Sequence, residues 1–165
     1  MEIVRASSKD IPTIQAIAEA TWPEAFRDIL EPEQIRYMLD KMYNTHVLTS
    51  TLQDPQQSFW LFQDDNIAYG FAGIEHHYKG EFSTKLHKLY VRPDAQGKQA
   101  GRRLIAHVQQ EAVQAGSKRL LLNVNRYNKA IGFYEYLGFK ILYSEDIDIG
   151  NGYLMEDYVM ELHLL

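Results

Sequence analysis

Two kinds of chemistry are written into the middle of this chain. The first is anion binding. Leu86 to Ile105 reads LHKLYVRPDAQGKQAGRRLI. Leu86, Leu89, Tyr90 and Val91 make a strand, and Pro93 stops it by forcing Arg92 extended and offering no ladder donor. A polar loop with Gly97 and Gly101 follows, then an amphipathic helix carrying Leu104, Ile105, Val108 and Ala112 at helical spacing, with Gly116 at its left-handed cap. A strand, glycine loop and helix in that order aim free backbone N–H groups and the positive end of a helix dipole at one point, which suits a phosphate or pyrophosphate. The second chemistry is proton transfer. Glu75 lies near the end of the preceding strand with His76 and His77, and His87 lies on this strand. A histidine can take a proton at neutral pH. His87 is expected to share a strand face with Leu89 and Val91, because side chains alternate. The three histidines lack the carboxylate spacing of a metal set, and no metal is expected.

The elements that must hold these groups follow from pattern. Ile3 and Val4 centre a first strand; Ser8 or Asp10 caps a helix through Ile14, Ile17 and Ala18, with Pro12 in its first turn. Helical spacing continues from Glu24 to Met42, broken at Glu31-Pro32. Ser58–Gln63 and Ile67–Glu75 flank the turn Asp64-Asp65-Asn66 as a hairpin, and Gly70 and Gly73 predict a bulge or a close backbone approach. Phe82–Val91 returns antiparallel. Arg119–Val124 is a short apolar run suited to a buried parallel strand. Asn128 caps a helix with Ala130, Ile131, Phe133, Tyr134 and Leu137 inward; Gly138 and Phe139 close it. Strands at Phe139–Asp146 and Met155–Leu164 complete a mixed α/β sheet in one domain, residues 1–165.

Composition narrows the setting. The chain has 165 residues, a net charge of −5 and no cysteine, which removes disulfides, thiolate metal sites and cysteine nucleophiles. An acidic balance argues against nucleic acid as a partner. Neither a membrane-spanning run nor a signal-like N-terminus is read, so no membrane association and a cytoplasmic location are expected.

The loop Gln96-Gly97-Lys98-Gln99-Ala100-Gly101 is neither a P-loop nor a dinucleotide fingerprint. It resembles the pyrophosphate loop Q/R-x-x-G-x-G/A of the GNAT superfamily of acyl-CoA-dependent N-acyltransferases. Gln96 and Gly101 match; Gln99 stands where the family usually has glycine, and its side chain can crowd the anion. Asn123–Phe139, NVNRYNKAIGFYEYLGF, is similar to the same superfamily's N-x-x-A-x-x-F-Y-E-x-x-G-F, with Asn128, Ala130, Phe133, Tyr134, Glu135, Gly138 and Phe139 in register. ILEPEQIRYMLDKMY resembles its substrate-side helices. The resemblance covers nearly the whole chain. It implies a GNAT-type, mostly antiparallel twisted sheet of about seven strands flanked by about four helices.

What the resemblance implies chemically is acetyl transfer from acetyl-CoA to a primary amine by direct attack in a ternary complex, with no metal. The implied cosubstrate-binding residues are Leu89, Tyr90, Val91, Gln96, Gly97, Lys98, Gln99, Ala100, Gly101, Arg102, Asn123 and Asn128. Backbone of Leu89–Val91 would pair with pantetheine and supply the oxyanion donor, while Lys98, Arg102 or Arg103 add charge or remain solvated surface. Tyr134 would face the departing thiolate, mostly by hydrogen bonding, since full proton transfer is uphill by roughly 2 kcal/mol. The base falls to Glu75 through water or to His87 directly; both are carried forward, with Glu75 preferred. An alkyl amine is neutral in only about one molecule in 2,500 at pH 7, so the step needs help. The expected partner is a small-molecule or protein amine acceptor, and a homodimer is compatible with this reading. The alternative is an inactive acyl-CoA-binding module, which Gln99 and the missing acidic base keep open.

Overall fold

The computed structural model describes residues 1–95 and 97–164. Seven strands form one sheet in the order β1-β2-β3-β4-β5-β7-β6, namely β1 Glu2–Arg5, β2 Gln57–Asp64, β3 Ile67–Glu75, β4 Ser83–Val91, β5 Arg119–Asn125, β6 Lys140–Gly150 and β7 Tyr153–His163. Every pairing is antiparallel except β4 with β5. Helix α4, Ala100–Gln114, carries the chain across between those two parallel strands. The β2–β3 hairpin turns through Asp65 and Asn66, both at positive φ (51° and 65°), as a tight primed turn requires.

Each face of the sheet has its own core. α1 (Ile11–Ala25), α2 (Pro32–Tyr43) and α3 (Thr45–Gln53) cover one face, burying Ile14, Trp22, Phe26, Met38 and Leu48 against Phe59 and Phe71. α4 and α5 (Ala130–Tyr136) cover the other, burying Leu104, Ile105, Val108 and Tyr134 against Leu120, Leu122 and Met160. α3 is one helix more than the pattern predicted. Asn44 caps it by accepting from the Val47 N–H at 2.9 Å, and Leu48 is its buried anchor.

Both internal glycines of β3 do what their position suggests. The β2–β3 register slips beside Gly70, and the β3–β4 register slips at Gly73/Ile74. A Cβ on Gly70 would come 2.9 Å from the Tyr90 carbonyl oxygen, and one on Gly73 would come 2.9 Å from the Phe59 ring. Gly70 therefore sets how closely β3 approaches the end of β4. Gly70→Ala is expected to cost about 1–3 kcal/mol, because the obstacle is backbone and cannot rotate away. A urea midpoint unchanged from the parent would contradict that contact.

Candidate active site

The site begins where β4 and β5 separate. They pair only over Ser83–Leu86 and Arg119–Leu122, although β4 runs on to Val91 and β5 to Asn125. Beyond Leu86 each strand stays bonded to its outer neighbour, β3 or β7, and turns an unpaired edge to the gap. The Arg92 N–H donates to the Tyr69 carbonyl of the β3 segment at 2.7 Å. Since N–H direction alternates along a strand, those of Val91 and Leu89 face the gap and that of Tyr90 faces β3. Two free donors thus line one wall of the opening. The cavity there, about 690 Å³, is lined by β4, β5, α1, α2, α5 and β6–β7 residues.

At the outer end of β4 the chain turns into α4. Gly97 takes φ +82° and Gln99 takes φ +55°, the second as the residue capping the helix. This explains why glycine suits that position, since a left-handed residue with a Cβ costs roughly 1–2 kcal/mol. The Arg103 N–H already donates to the Gln99 carbonyl, so the first-turn donors without a partner among the described residues are those of Ala100, Gly101 and Arg102. A Cβ on Gly101 would lie 3.5 Å from the Phe133 ring, at the seam between α4 and α5. The Lys98 ammonium is committed to Asp64 at 2.7 Å, tying the loop to the end of β2. Arg102 lies over the Tyr136 ring at 5.6 Å. Gln96 lies outside the described residues.

His87 and Glu75, treated as alternatives on sequence, are joined: His87 Nε2 and Glu75 Oε1 are 2.8 Å apart. The expected face for His87 is corrected by the register. Gly73 pairs with Lys88 and Ile74 with Leu86, so His87 is the extra residue of a bulge and simple alternation stops there. Leu89 and Val91 pack towards α4 and α5, while His87 turns to the α1–α2 face with Glu75. The ring also meets Tyr78 edge-on at 5.7 Å. Nε2 donating to the carboxylate leaves Nδ1 as the acceptor. Crowding by protein pulls the imidazole below the ordinary histidine value, with Glu75 pulling the other way. His76 points elsewhere, 2.9 Å from Thr84 Oγ1.

Tyr134 enters from α5. Asn128 opens that helix by accepting from the Ala130 N–H at 2.8 Å, and the closing bonds are Phe139 N–H to Tyr134 O and Gly138 N–H to Glu135 O, each 3.0 Å. The predicted glycine closure therefore fixes the turn from which Tyr134 projects. Tyr134 is buried and lines the cavity, and burial alone pushes its phenol well above the usual tyrosine range. Asn123 is held by the Lys85 ammonium, and its Nδ2 donates to Asp157 at 3.2 Å.

Among the lining residues that sequence reasoning passed over are Asp157 and Lys88. Asp157 on β7 is buried, and its Oδ1 has no hydrogen-bond partner among the described residues. Lys88 lies beside His87 against the rings of Tyr43 and Phe59. The signal for Lys88 was a lysine set between Leu86 and the apolar run Leu89–Val91.

Parted central strands, a glycine loop entering a helix, and a cavity between them define an acyltransferase architecture. The structure superposes with a TM-score of 0.84 on the PaiA N-acetyltransferase of Thermoplasma acidophilum in complex with coenzyme A, at 23% identity over 98% of each chain. The model for the Acetyltransferase (GNAT) domain matches residues 26–162, and the chain belongs to that family. Among characterised relatives, a spermidine N(1)-acetyltransferase of Thermoplasma acidophilum is 25% identical over 94% of this chain and 96% of its own. An IAA acetyltransferase of Azospirillum brasilense is 29% identical over 78% of this chain and 86% of its own.

The left-handed cap gives a direct check on the loop. Gln99→Gly is expected to leave stability unchanged or raise it by up to about 1 kcal/mol, while Gln99→Val lowers it by more than that. Equal urea midpoints for the two variants would contradict the cap geometry.

Proposed function

We propose that this acetyltransferase uses the β4–β5 opening to hold acetyl-CoA and presents a primary amine, from a small molecule or a protein, to it from the α1–α2 side. The observation that carries the reading is the convergence of unpaired Leu89 and Val91 donors, Tyr134 and the His87–Glu75 pair around one cavity. Leu89 and Val91 N–H groups pair with the pantetheine amides and the thioester oxygen as an added strand would. The N–H groups of Ala100, Gly101 and Arg102 take the pyrophosphate. A relative named for spermidine N(1) acetylation supports an amine acceptor.

The proton path follows from the pair. The cavity withdraws a bound amine from water, and desolvation lowers an ammonium's pKa and favours the neutral amine that attacks. As the C–N bond forms, the nitrogen becomes acidic, and His87 Nδ1 accepts its proton. Glu75 stabilises the imidazolium from the opposite nitrogen, so its role is positioning. The Tyr134 hydroxyl, kept protonated by burial, donates a hydrogen bond to the departing thiolate. Both features behind the inactive alternative have physical answers: Gln99 adopts the cap conformation, and Glu75 supplies the missing acid through His87.

Three variants test this. Tyr134→Phe should lower kcat roughly 10–100-fold with CoA affinity nearly unchanged; an unchanged kcat, with chemistry rate-limiting, assigns Tyr134 to packing. Gly101→Leu should fold and lose CoA binding, because the side chain would fill the α4–α5 seam; unchanged affinity refutes the loop assignment. For the base, kcat/KM should rise with pH through a limb below the ordinary histidine value, because the working form is neutral His87. His87→Gln should remove the limb. Glu75→Gln should move it to still lower pH, since the carboxylate is the group that raises this pKa. A limb that persists in His87→Gln and disappears in Glu75→Gln would make Glu75 the base.

A further inference from the structure

The bulge at His87 places a second basic side chain on the acceptor side, and nothing in the transfer chemistry requires it. Lys88 follows His87 and turns to the same α1–α2 face. Its ammonium lies 5.7 Å from the centre of the Tyr43 ring and 5.8 Å from that of Phe59. No carboxylate forms an ion pair with it among the described residues. Of the acids lining the cavity, Glu24 pairs with Arg27, Glu81 with Arg119, and Asp157 accepts from Asn123, while the charge of Glu145 acts on Lys85; Glu75 beside them is bonded to His87. The cavity that Lys88 lines also presents Trp22, Phe26, Met38, Met42 and Tyr90.

An ammonium held among rings without a counter-charge is costly, and a hydrophobic residue of similar shape would cost less. Burial accordingly pulls Lys88 down to about 8, which still leaves it mostly charged at neutral pH. The Gly73 backbone opposite Lys88, already crowded by the Phe59 ring, leaves the lysine little choice of direction. The two rings answer part of this charge, and an anion on a ligand would complete the pairing.

We infer that Lys88 is the counter-charge for a carboxylate on the acceptor, so that the substrate class is an amine bearing a carboxylate and an apolar or aromatic body. This rests on the proposed function and narrows it. The bulge makes the two recognitions adjacent: Lys88 holds the carboxylate while His87 meets the amine, as an amino-acid-like acceptor would need. A polyamine, which carries no anion, leaves Lys88 unpaired and places like charge beside it.

The test uses the full chain saturated with CoA and two probes of one shape, 3-phenylpropionate and 3-phenylpropanamide, titrated by calorimetry. The parent should bind the carboxylate roughly 10–100-fold more tightly than the amide, the range of a charge-assisted hydrogen bond. Lys88→Met should abolish the preference and raise the melting temperature, while Lys88→Arg should restore much of it. A merely structural Lys88 would shift the melting temperature without changing the ratio. Equal binding of the two probes by the parent, or no binding of either, overturns the inference, as does a preference that survives Lys88→Met. CoA affinity, measured by titrating CoA into the free protein, reports separately on the proposed function: its retention with no carboxylate preference sinks only the acceptor class.

Discussion

Everything at this site depends on β4 and β5 giving up their mutual hydrogen bonds after Leu86 and Leu122. Backbone donors and acceptors inside a protein are nearly always paired, and leaving one unmet costs about 1–3 kcal/mol. Here the loss is tolerated because each strand is held from its far side. β3 grips β4 to Val91, and β7 grips β5 to Asn125. The bulge at His87 begins where the parting begins, adding local twist to β4 and steering it from its neighbour. A groove edged by free N–H groups is the result.

The same burial sets the chemistry. Desolvation disfavours charge, so one cause lowers His87, lowers Lys88 and raises Tyr134. His87 is thereby ready to accept a proton and Tyr134 keeps the one it donates, which are the states the transfer uses. Glu75 works against the trend at His87 and stabilises the imidazolium once it forms. The two faces of the sheet divide the labour. α4 and α5 bring the helix N-terminus and Tyr134; α1 and α2 supply the aromatic chamber around Lys88.

Much of this was legible in the sequence because it is local. The hairpin turn at Asp65-Asn66, the glycine loop, the Asn128 cap and the Gly138-Phe139 closure each need a particular residue at a particular φ, and the residues announce it. The succession of strands and helices along the chain followed from the alternation of apolar runs with helical spacing. What the pattern hid was register. A bulge inserts one residue without a sequence marker of its own, so alternation carried His87 to the wrong face and left Lys88 unread. Gly73 was the available clue, since a glycine inside a strand marks an irregular or close approach. α3 was missed for a different reason: a short helix of mixed composition, THVLTSTLQ, is stabilised by its cap and by Leu48 rather than by propensity.

The central claim is that the parted edge of β4 receives the pantetheine chain. Amide hydrogen exchange at Leu89 and Val91, followed by NMR with and without CoA, reads that edge directly. Both amides should exchange quickly in the free protein and become strongly protected on adding CoA, while Tyr90, already bonded to β3, changes little. Leu89 and Val91 amides equally protected with and without CoA would contradict the account.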